Sequence, residues 1–382
     1  MTRHEELTLG SRTEDGPEEY RFRTADGLHS PEEFRDGELL LLETVWDQAP
    51  KSALVVQANY GVVGTVLNAI TAEVVMTETS ARAARICRAN VDRNGADARV
   101  ELVASPTGVE PEHTDGFAAA CFAPAAYTPI PVGKERIAGA LSTLEPGGRL
   151  YLAARTETGL NRYEDCLDSI AVGVETVQKH GKERVLAAER PAEFEPPTYV
   201  TPRTIETTVD GVPLPLVTLP GLFSPTELDH GTRLLLECAT VEDGDRVLDL
   251  ACGYGAAGVY AASVADVDVV LTDDDARATL CARRSLDASG VDGTVITGDG
   301  TRGVADRQFD RILCNPPTHA GDGVLTDLFS GAAEVLAAGG RMSVVHHSTL
   351  DLDDLLEGVG SIRDRERGEE HTVVTVEATG SR

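Results

Sequence analysis

A chain of 382 residues, 41% of them hydrophobic, is too long for one ordinary compact core, and length alone favours two domains of roughly 150 to 200 residues. No apolar run of about 18 residues and no basic, apolar leader can be read, so neither a membrane span nor a secretory signal is expected and a cytoplasmic protein is the default. A formal charge of −29, with 4 lysines against 30 arginines, would repel nucleic acid in ordinary salt, because phosphate binding rests on cationic side chains that displace counterions.

Acidic residues stand in place of lysine along the whole chain, with no single acidic tail. That pattern reads as halophilic adaptation; an ordinary acidic enzyme with a small-molecule substrate is the alternative. Repulsion is screened where the Debye length shrinks to about 3 Å, at 1 M salt, so under the first reading the charge does not exclude an RNA substrate. The 7 cysteines are odd in number and never form C-x-x-C, which argues against a disulfide framework and a zinc site. They read as small buried residues.

In chain order, residues 1–30 are polar, charged and poorly periodic, and are expected to form a loosely packed, flexible arm. From there the chain repeats itself. SALVVQANYGVVG, from Ser52, is echoed by RVLDLACGYGAAG, from Arg246. The segments beginning at Thr77 and Thr272 then run together without a gap, pairing Arg82 with Arg277, Asp92 with Asp287 and Gly95 with Gly290. EPGGRLYLAA at 145–154 pairs with AAGGRMSVVH at 337–346. A doubled α/β domain is the simplest account, with copies at 31–195 and 196–382. Each copy alternates short Val/Leu/Ile-rich runs with helical stretches. In the second copy the runs are Val247–Leu250, Val269–Thr272, Gly293–Thr297, Arg311–Cys314 and Met342–His346. This predicts a parallel, Rossmann-like sheet with helices on both faces. The proline-rich stretch 190–203 between the copies reads as extended linker or edge structure.

The segment 246–258 is a buried strand ending in an acidic residue, then a glycine turn, then a helix. Gly253 and Gly255 let backbone approach a ligand, and the helix aims free N–H groups at it. The glycine string alone would equally fit a dinucleotide fold. Asp273 closes the next strand, where a carboxylate can accept both ribose hydroxyls. Asp299 closes the third, where it can accept the adenine amino group. Asp249 sets negative charge beside the turn, which suits the sulfonium or amino group of S-adenosylmethionine and would repel a pyrophosphate. The same aspartates would also serve as loop caps of a generic α/β fold.

After the fourth strand comes Asn315-Pro316-Pro317-Thr318-His319. Two prolines remove two donors and stiffen the backbone, leaving the Asn315 side-chain oxygen and the Pro316 carbonyl as fixed acceptors. A conjugated amino group is a poor nucleophile because its lone pair is delocalised. Two acceptors gripping its hydrogens orient it and favour pyramidalisation, with no metal or covalent intermediate required. Thr318 and His319 follow the turn and are candidate substrate contacts; a surface loop suits His319 as well. His346 and His347 are adjacent on a strand, so they point to opposite faces and do not suggest a metal pair.

These residues resemble the methyltransferase small domain, in particular the two-domain ribosomal RNA guanine-N2 methyltransferases of the small subunit. The resemblance includes Leu219-Pro-Gly-Leu-Phe-Ser224, Leu228-Asp229-His-Gly231-Thr232, the glycine turn, the acidic strand ends and Asn315-Pro-Pro. It is close over 219–347 and looser before that. It implies two tandem class I methyltransferase domains, the first degenerate and assisting RNA recognition, S-adenosylmethionine held by Asp249, Gly253, Gly255, Asp273, Asp299 and Asn315, a substrate in ribosomal RNA or the small ribosomal subunit, and a Phe-Ser and Asp-x-Gly segment packed over the cofactor pocket. Two departures stand out. Ala251 replaces a glycine of the family turn, which would tighten it, and Thr318 replaces an aromatic ring that would stack on the target base. In the first copy Val55 replaces Asp249, Asn59 replaces Gly253 and Phe122-Ala123-Pro124 has lost the Asn-Pro-Pro, while Gly61, Gly64 and Glu78 persist. Protein glutamine-amide methyltransferases share the Asn-Pro-Pro turn, and a non-catalytic RNA-binding assembly factor is a further alternative.

The acidic surface makes a direct demand. Lowering potassium chloride from molar to millimolar should lower the melting temperature through self-repulsion. A melting temperature indifferent to salt would remove the halophilic reading.

Overall fold

A computed structural model describes residues 5–11, 17–110, 113 and 116–379. The chain divides into two compact units between Thr201 and Pro202, a few residues beyond the boundary expected at 195.

The first unit begins with an antiparallel hairpin of β1 (Glu5–Gly10) and β2 (Glu19–Thr24). Then come α1 (Asp36–Trp46), β3 (Ser52–Val56), α2 (Val62–Leu67), β4 (Glu73–Glu78), α3 (Ala81–Arg93), β5 (Ala98–Leu102) and β6 (Phe117–Phe122). The unit closes with α4 (Ile130–Thr143), β7 (Leu144–Arg155), α5 (Leu160–Ile170), β8 (Val172–His180) and β9 (Glu183–Glu189). Its sheet has seven strands in the order β5-β4-β3-β6-β7-β9-β8.

The expected loose arm over residues 1–30 needs correction in its described part. Alternate residues of β2 are buried, and Phe22 is fully enclosed with its ring edge-on to Phe34 and Tyr60. The run EYRFRT is charged on one face and apolar on the other, which is the pattern of a half-buried strand. Composition averaged over 30 residues hides that alternation.

The second unit opens with a hairpin of β10 (Arg203–Val209) and β11 (Val212–Thr218), followed by α6 (His230–Cys238). Next come β12 (Arg246–Leu250), α7 (Ala256–Val264), β13 (Asp268–Asp273), α8 (Ala276–Ser289), β14 (Thr294–Thr297) and β15 (Phe309–Cys314). It ends with α9 (Asp322–Val335), β16 (Leu336–His347), α10 (Asp353–Glu357), β17 (Ser361–Arg367) and β18 (His371–Glu377). The strand order, β14-β13-β12-β15-β16-β18-β17, repeats that of the first unit. All five predicted strands are present. The sheet is not wholly parallel as expected, because β18 runs antiparallel to both β16 and β17. Only β17 and β18 are joined by a tight turn, at 368–370, which suffices for an antiparallel pair; the chain leaves β16 through α10 and β17, and β18 returns in the opposite sense to lie beside β16.

Strand order reverses between β12 and β15, which are hydrogen-bonded parallel neighbours with Leu250 beside Cys314. In open α/β sheets the crevice beyond the carboxyl ends of such strands receives ligands. Helix α7 sits tightly on this floor. A methyl group on Gly258 would lie 2.6 Å from the buried side chain of Leu271, and in the first unit one on Gly64 would lie 2.3 Å from Met76 Sδ. Among the described residues, no helix is long and apolar enough to cross a membrane and no group of three or more side chains could hold a metal ion.

The Gly258 contact leaves no room for a side chain. Gly258→Ala is expected to destabilise the second unit by about 1–3 kcal/mol through overpacking against Leu271. An unchanged or raised melting temperature in this variant would show that the helix can shift at no cost.

Candidate functional site

The glycine turn leaves β12 in a backbone conformation that few side chains favour. Ala251, Gly253 and Gly255 have φ of 58°, 55° and 88°. Ala251 therefore does not tighten the turn; it accepts a left-handed conformation that costs a residue with a Cβ about 1–2 kcal/mol. At Gly253 a Cβ would meet nothing within 4 Å, so the missing side chain leaves space beside the turn. At Gly255 a Cβ would meet Leu271 at 2.9 Å, so this glycine serves packing.

Two carboxylates hold the turn, Asp249 buried and Asp273 half-buried. Asp249 Oδ2 accepts from Gly258 N at 2.7 Å, so this oxygen caps the first turn of α7, the capping role that the sequence offered beside a ligand contact. The free amides of a helix N-terminus offer the nearest donors to a carboxylate at the preceding strand end. Asp273 Oδ2 accepts from Gly253 N at 2.8 Å and Oδ1 from Asp275 N at 2.8 Å. Burial pushes both carboxyls up to about 7, against the lowering effect of those backbone donors, and each is raised further by neighbouring aspartates. Asp299 lies just past β14, buried, with Arg302 Nε 3.5 Å from its Oδ2.

Asn315 follows β15 and is held by the start of α6. Its Nδ2 donates to Thr232 Oγ1 at 2.8 Å and to Asp229 Oδ2 at 3.2 Å. The orientation is forced, because Asp229 Oδ2 is an acceptor already engaged as the N-cap of α6, taking Thr232 N at 2.8 Å. Nδ2 faces the cap, and Oδ1 is left to accept. Pro316 is buried, Pro317 exposed, and the Pro316 carbonyl accepts from Thr318 N at 2.9 Å. The tight turn thus occupies one of the two lone pairs of this carbonyl, which was expected to be a fixed acceptor. Thr318 is half-buried and His319 exposed.

The segment leading into α6 joins these pieces. Tyr254 of the glycine turn donates to Glu227 O at 3.4 Å, two residues before Asp229. This segment, 219–229, is a strap, and strap, glycine turn and Asn-Pro-Pro turn form one connected set. His346 and His347 stay outside it: His346 Nδ1 pairs with the His347 carbonyl at 3.0 Å, and the His347 ring packs edge-on to His371.

Comparison with known proteins fits this geometry. The family model of the methyltransferase small domain matches residues 19–187 and 213–374, most of both units. The chain belongs to the methyltransferase small domain family. It is similar to proteins named ribosomal RNA small subunit methyltransferase C: 34% identical to that of Pseudomonas aeruginosa over 56% of this chain and 65% of the relative, and 35% identical to that of Stutzerimonas stutzeri over 60% and 71%. The matched part thus spans about two thirds of these relatives' length. In fold it is similar to the T. thermophilus 16S rRNA N2 methyltransferase RsmC, solved in complex with AdoMet and guanosine, with a TM-score of 0.79, 24% identity and 98% of each chain covered.

The two methyltransferase-like units share more than the sequence reading found. The strap is itself repeated, Gly27-Leu28-His29-Ser30-Pro31 matching Gly221-Leu222-Phe223-Ser224-Pro225. Gln57, Asn59 and Gly61 have φ of 54°, 55° and 92°, reproducing the turn of the second unit. Glu78 takes the part of Asp273, accepting from Asn59 N and Thr79 N, and burial pushes it up to about 7. The space that Gly253 leaves is used differently here, since the Asn59 amide bonds both backbone groups of His29, at 3.2 and 2.9 Å. At the strap, Arg35 replaces Asp229, and its Nη2 donates to the carbonyls of Ala123 at 3.0 Å and Pro124 at 2.8 Å. Those are the counterparts of Asn315 and Pro316, so a guanidinium occupies acceptors in the decayed turn.

The buried carboxyls set a pH dependence. An unfolded aspartate titrates near 3.9, so between about 4 and 7 the folded state holds protons that the unfolded state has lost. Stability therefore declines as pH rises through that window and is lowest above the folded value. At fixed high salt, the ligand-free protein should melt at a lower temperature at pH 8 than at pH 5, and Asp249→Asn should flatten the slope. A slope identical in this variant would show that Asp249 is already ionised below pH 5.

Proposed function

We propose that this chain transfers a methyl group from S-adenosylmethionine to N2 of a guanine in small-subunit ribosomal RNA. The reading is supported by family membership and by the names of its relatives, but the observation that carries it is the forced orientation of Asn315. With Nδ2 engaged by Asp229 and Thr232, Oδ1 faces outward as an acceptor for one hydrogen of an amino group. The remaining lone pair of the Pro316 carbonyl takes the other. Gripped in this way, the nitrogen can pyramidalise and direct its lone pair at a carbon.

The residues of the glycine turn suit the cofactor. The space beside Gly253 admits a ligand against backbone, and each Asp273 oxygen, bonded once to an amide, keeps a lone pair for a ribose hydroxyl. Asp299 would accept from the adenine amino group. When bound, S-adenosylmethionine supplies an electrophilic methyl carbon on a sulfonium. Transfer forms an N–C bond as an S–C bond breaks, and the nitrogen then gives up a proton. Thr318 and His319, which follow this turn, would contact the substrate. Guanine N2 lies at the minor-groove edge of a duplex, so the base must be unpaired or turned out of its stack to reach Asn315. We assign the acidic surface to a salt-rich cytoplasm, where RNA phosphates are screened from it.

The test is labelled methyl transfer in high salt to small-subunit RNA, offered naked and as assembled subunits, with nucleoside analysis of the product. N2-methylguanosine is expected. In Asn315→Ala, cofactor affinity should stay nearly intact while turnover falls steeply, since only the acceptor geometry is lost. Label found only in protein glutamine or in N6-methyladenosine would overturn the guanine assignment, and loss of cofactor affinity together with turnover would make Asn315 structural.

A further inference from the structure

The two units provide two states of one cleft mouth. In the first unit, His29 of the strap meets Tyr127, five residues beyond Phe122 at the end of β6. Tyr127 Oη and His29 Nδ1 are hydrogen-bonded, and the rings stand edge to face with centroids 5.2 Å apart. The mouth is closed by a side chain from each lip. In the second unit the matching strap position is Phe223, and the position five residues beyond Cys314 is His319. Both lips again carry rings.

The strap backbone is the same in both units. Ser30 and Ser224, each following the ring-bearing residue, have φ of 50° and 42°. Tyr60 Oη donates to Glu33 O at 3.1 Å, as Tyr254 Oη donates to Glu227 O at 3.4 Å. In the second unit Ser224 Oγ also donates to Glu227 O at 2.7 Å, pinning the turn that carries Phe223 close to the Tyr254 anchor. Strain of this kind, held by hydrogen bonds at a cleft, marks a position fixed for use.

Among the described residues Phe223 and His319 make no ring contact with each other, and Phe223 is 63% exposed. Among the described residues the large aromatic side chains left exposed are Phe223 and Tyr127, one at each mouth, in a chain with only 4% aromatic residues. Chance scatter would not place both there. Thr318 offers no ring on the catalytic turn, so a flat base presented to Asn315 needs its stacking surface from elsewhere.

We propose that Phe223 and His319 form a two-ring clamp that takes the unpaired target base between them, the open counterpart of the closed His29–Tyr127 contact. This rests on the proposed function and adds the substrate's stacking surface to it. Single-stranded bases are held by stacking on Phe, Tyr, Trp and His rings, and the contact tolerates sequence because every base has a π-face. The edge contacts at Asn315 then select an amino group.

The clamp is tested on the full chain in high salt with guanosine as probe, in the presence of S-adenosylhomocysteine, by equilibrium dialysis. Phe223→Ala and His319→Ala should each weaken guanosine binding on the order of tenfold or more, the range found for removing one stacking ring. Phe223→Tyr should bind like the parent, whereas Phe223→Leu, apolar but without a π-face, should behave like alanine. S-adenosylhomocysteine affinity should be unchanged in all four, which reports an intact fold. Parent-like guanosine binding by the Leu or Ala variant would overturn the clamp while labelled transfer to RNA by the parent left the proposed function standing. If the parent binds S-adenosylhomocysteine but neither binds guanosine nor methylates small-subunit RNA, both fall.

Discussion

The parallel pairing of β12 with β15 is the constraint on which the site depends. These strands are 64 residues apart in sequence at Arg246 and Asp310, whose side chains and backbone bond at the amino ends of the pair. At the carboxyl ends Leu250 lies beside Cys314, so the glycine turn and the Asn-Pro-Pro turn leave the sheet side by side. Hydrogen-bonded neighbours in a sheet are about 4.8 Å apart, and no loop could hold two turns at that spacing so firmly. Reversal of strand order at this pair also keeps crossover helices from covering the ends. The N-terminus of α6 enters that gap, with Asp229 as both helix cap and clamp on Asn315.

Comparing the units separates what the fold requires from what the chemistry requires. Left-handed backbone at the turn, the acidic tie between strand end and turn, the tyrosine bond to the strap and the close glycine on the first helix occur in both. Each is needed to seat a helix on the sheet after a sharp turn. The changes fall at side chains that face the cleft: Asn59 for Gly253, Arg35 for Asp229, Ala123 for Asn315. Arg35 inverts the clamp. A carboxylate that turns an amide oxygen outward has been replaced by a cation that draws two carbonyl oxygens inward, which satisfies buried backbone acceptors once the amide is gone.

The doubled fold, the glycine turn and the Asn-Pro-Pro turn were legible because they rest on local signals: buried β-branched runs, a glycine turn after a strand, prolines after another. The hairpin of residues 5–24 was not, because its alternation spans only six residues per strand within a charged stretch. The antiparallel pair β17 and β18 was not legible because β17, Ser-Ile-Arg-Asp-Arg-Glu-Arg, is charged and mostly exposed and carries no apolar alternation. Distance explains the clamp. Asp229 and Asn315 are 86 residues apart, and no spacing rule joins them. The repeated strap was visible in the sequence as Gly-Leu-x-Ser-Pro at 27–31 and 221–225, but it lies upstream of the stretch where the two copies align without a gap. The direction of Asp249 was not legible because a strand-end carboxylate can serve either a ligand or a helix cap, and only coordinates show which amides are in reach.

Electrostatics treats the two proposed ligands in opposite ways, and range decides the outcome. A charge of −29 spread over the surface attracts a sulfonium and repels RNA, both over distances of many ångströms. Salt near 1 M confines those fields to about 3 Å and removes most of the repulsion from phosphate. The carboxyls beside the glycine turn lie inside that limit. Asp249 is buried and Asp273 half-buried, and both carboxyls are pushed up to about 7, so they share protons with solvent near neutral pH. A cation bound beside them favours their charged forms and releases those protons, a coupling that acts through low-dielectric protein and is little screened. The acidic surface and the carboxyls beside the glycine turn therefore respond differently to the same salt: the surface field is screened out, whereas the carboxyls would keep their preference for the cation of the proposed cofactor.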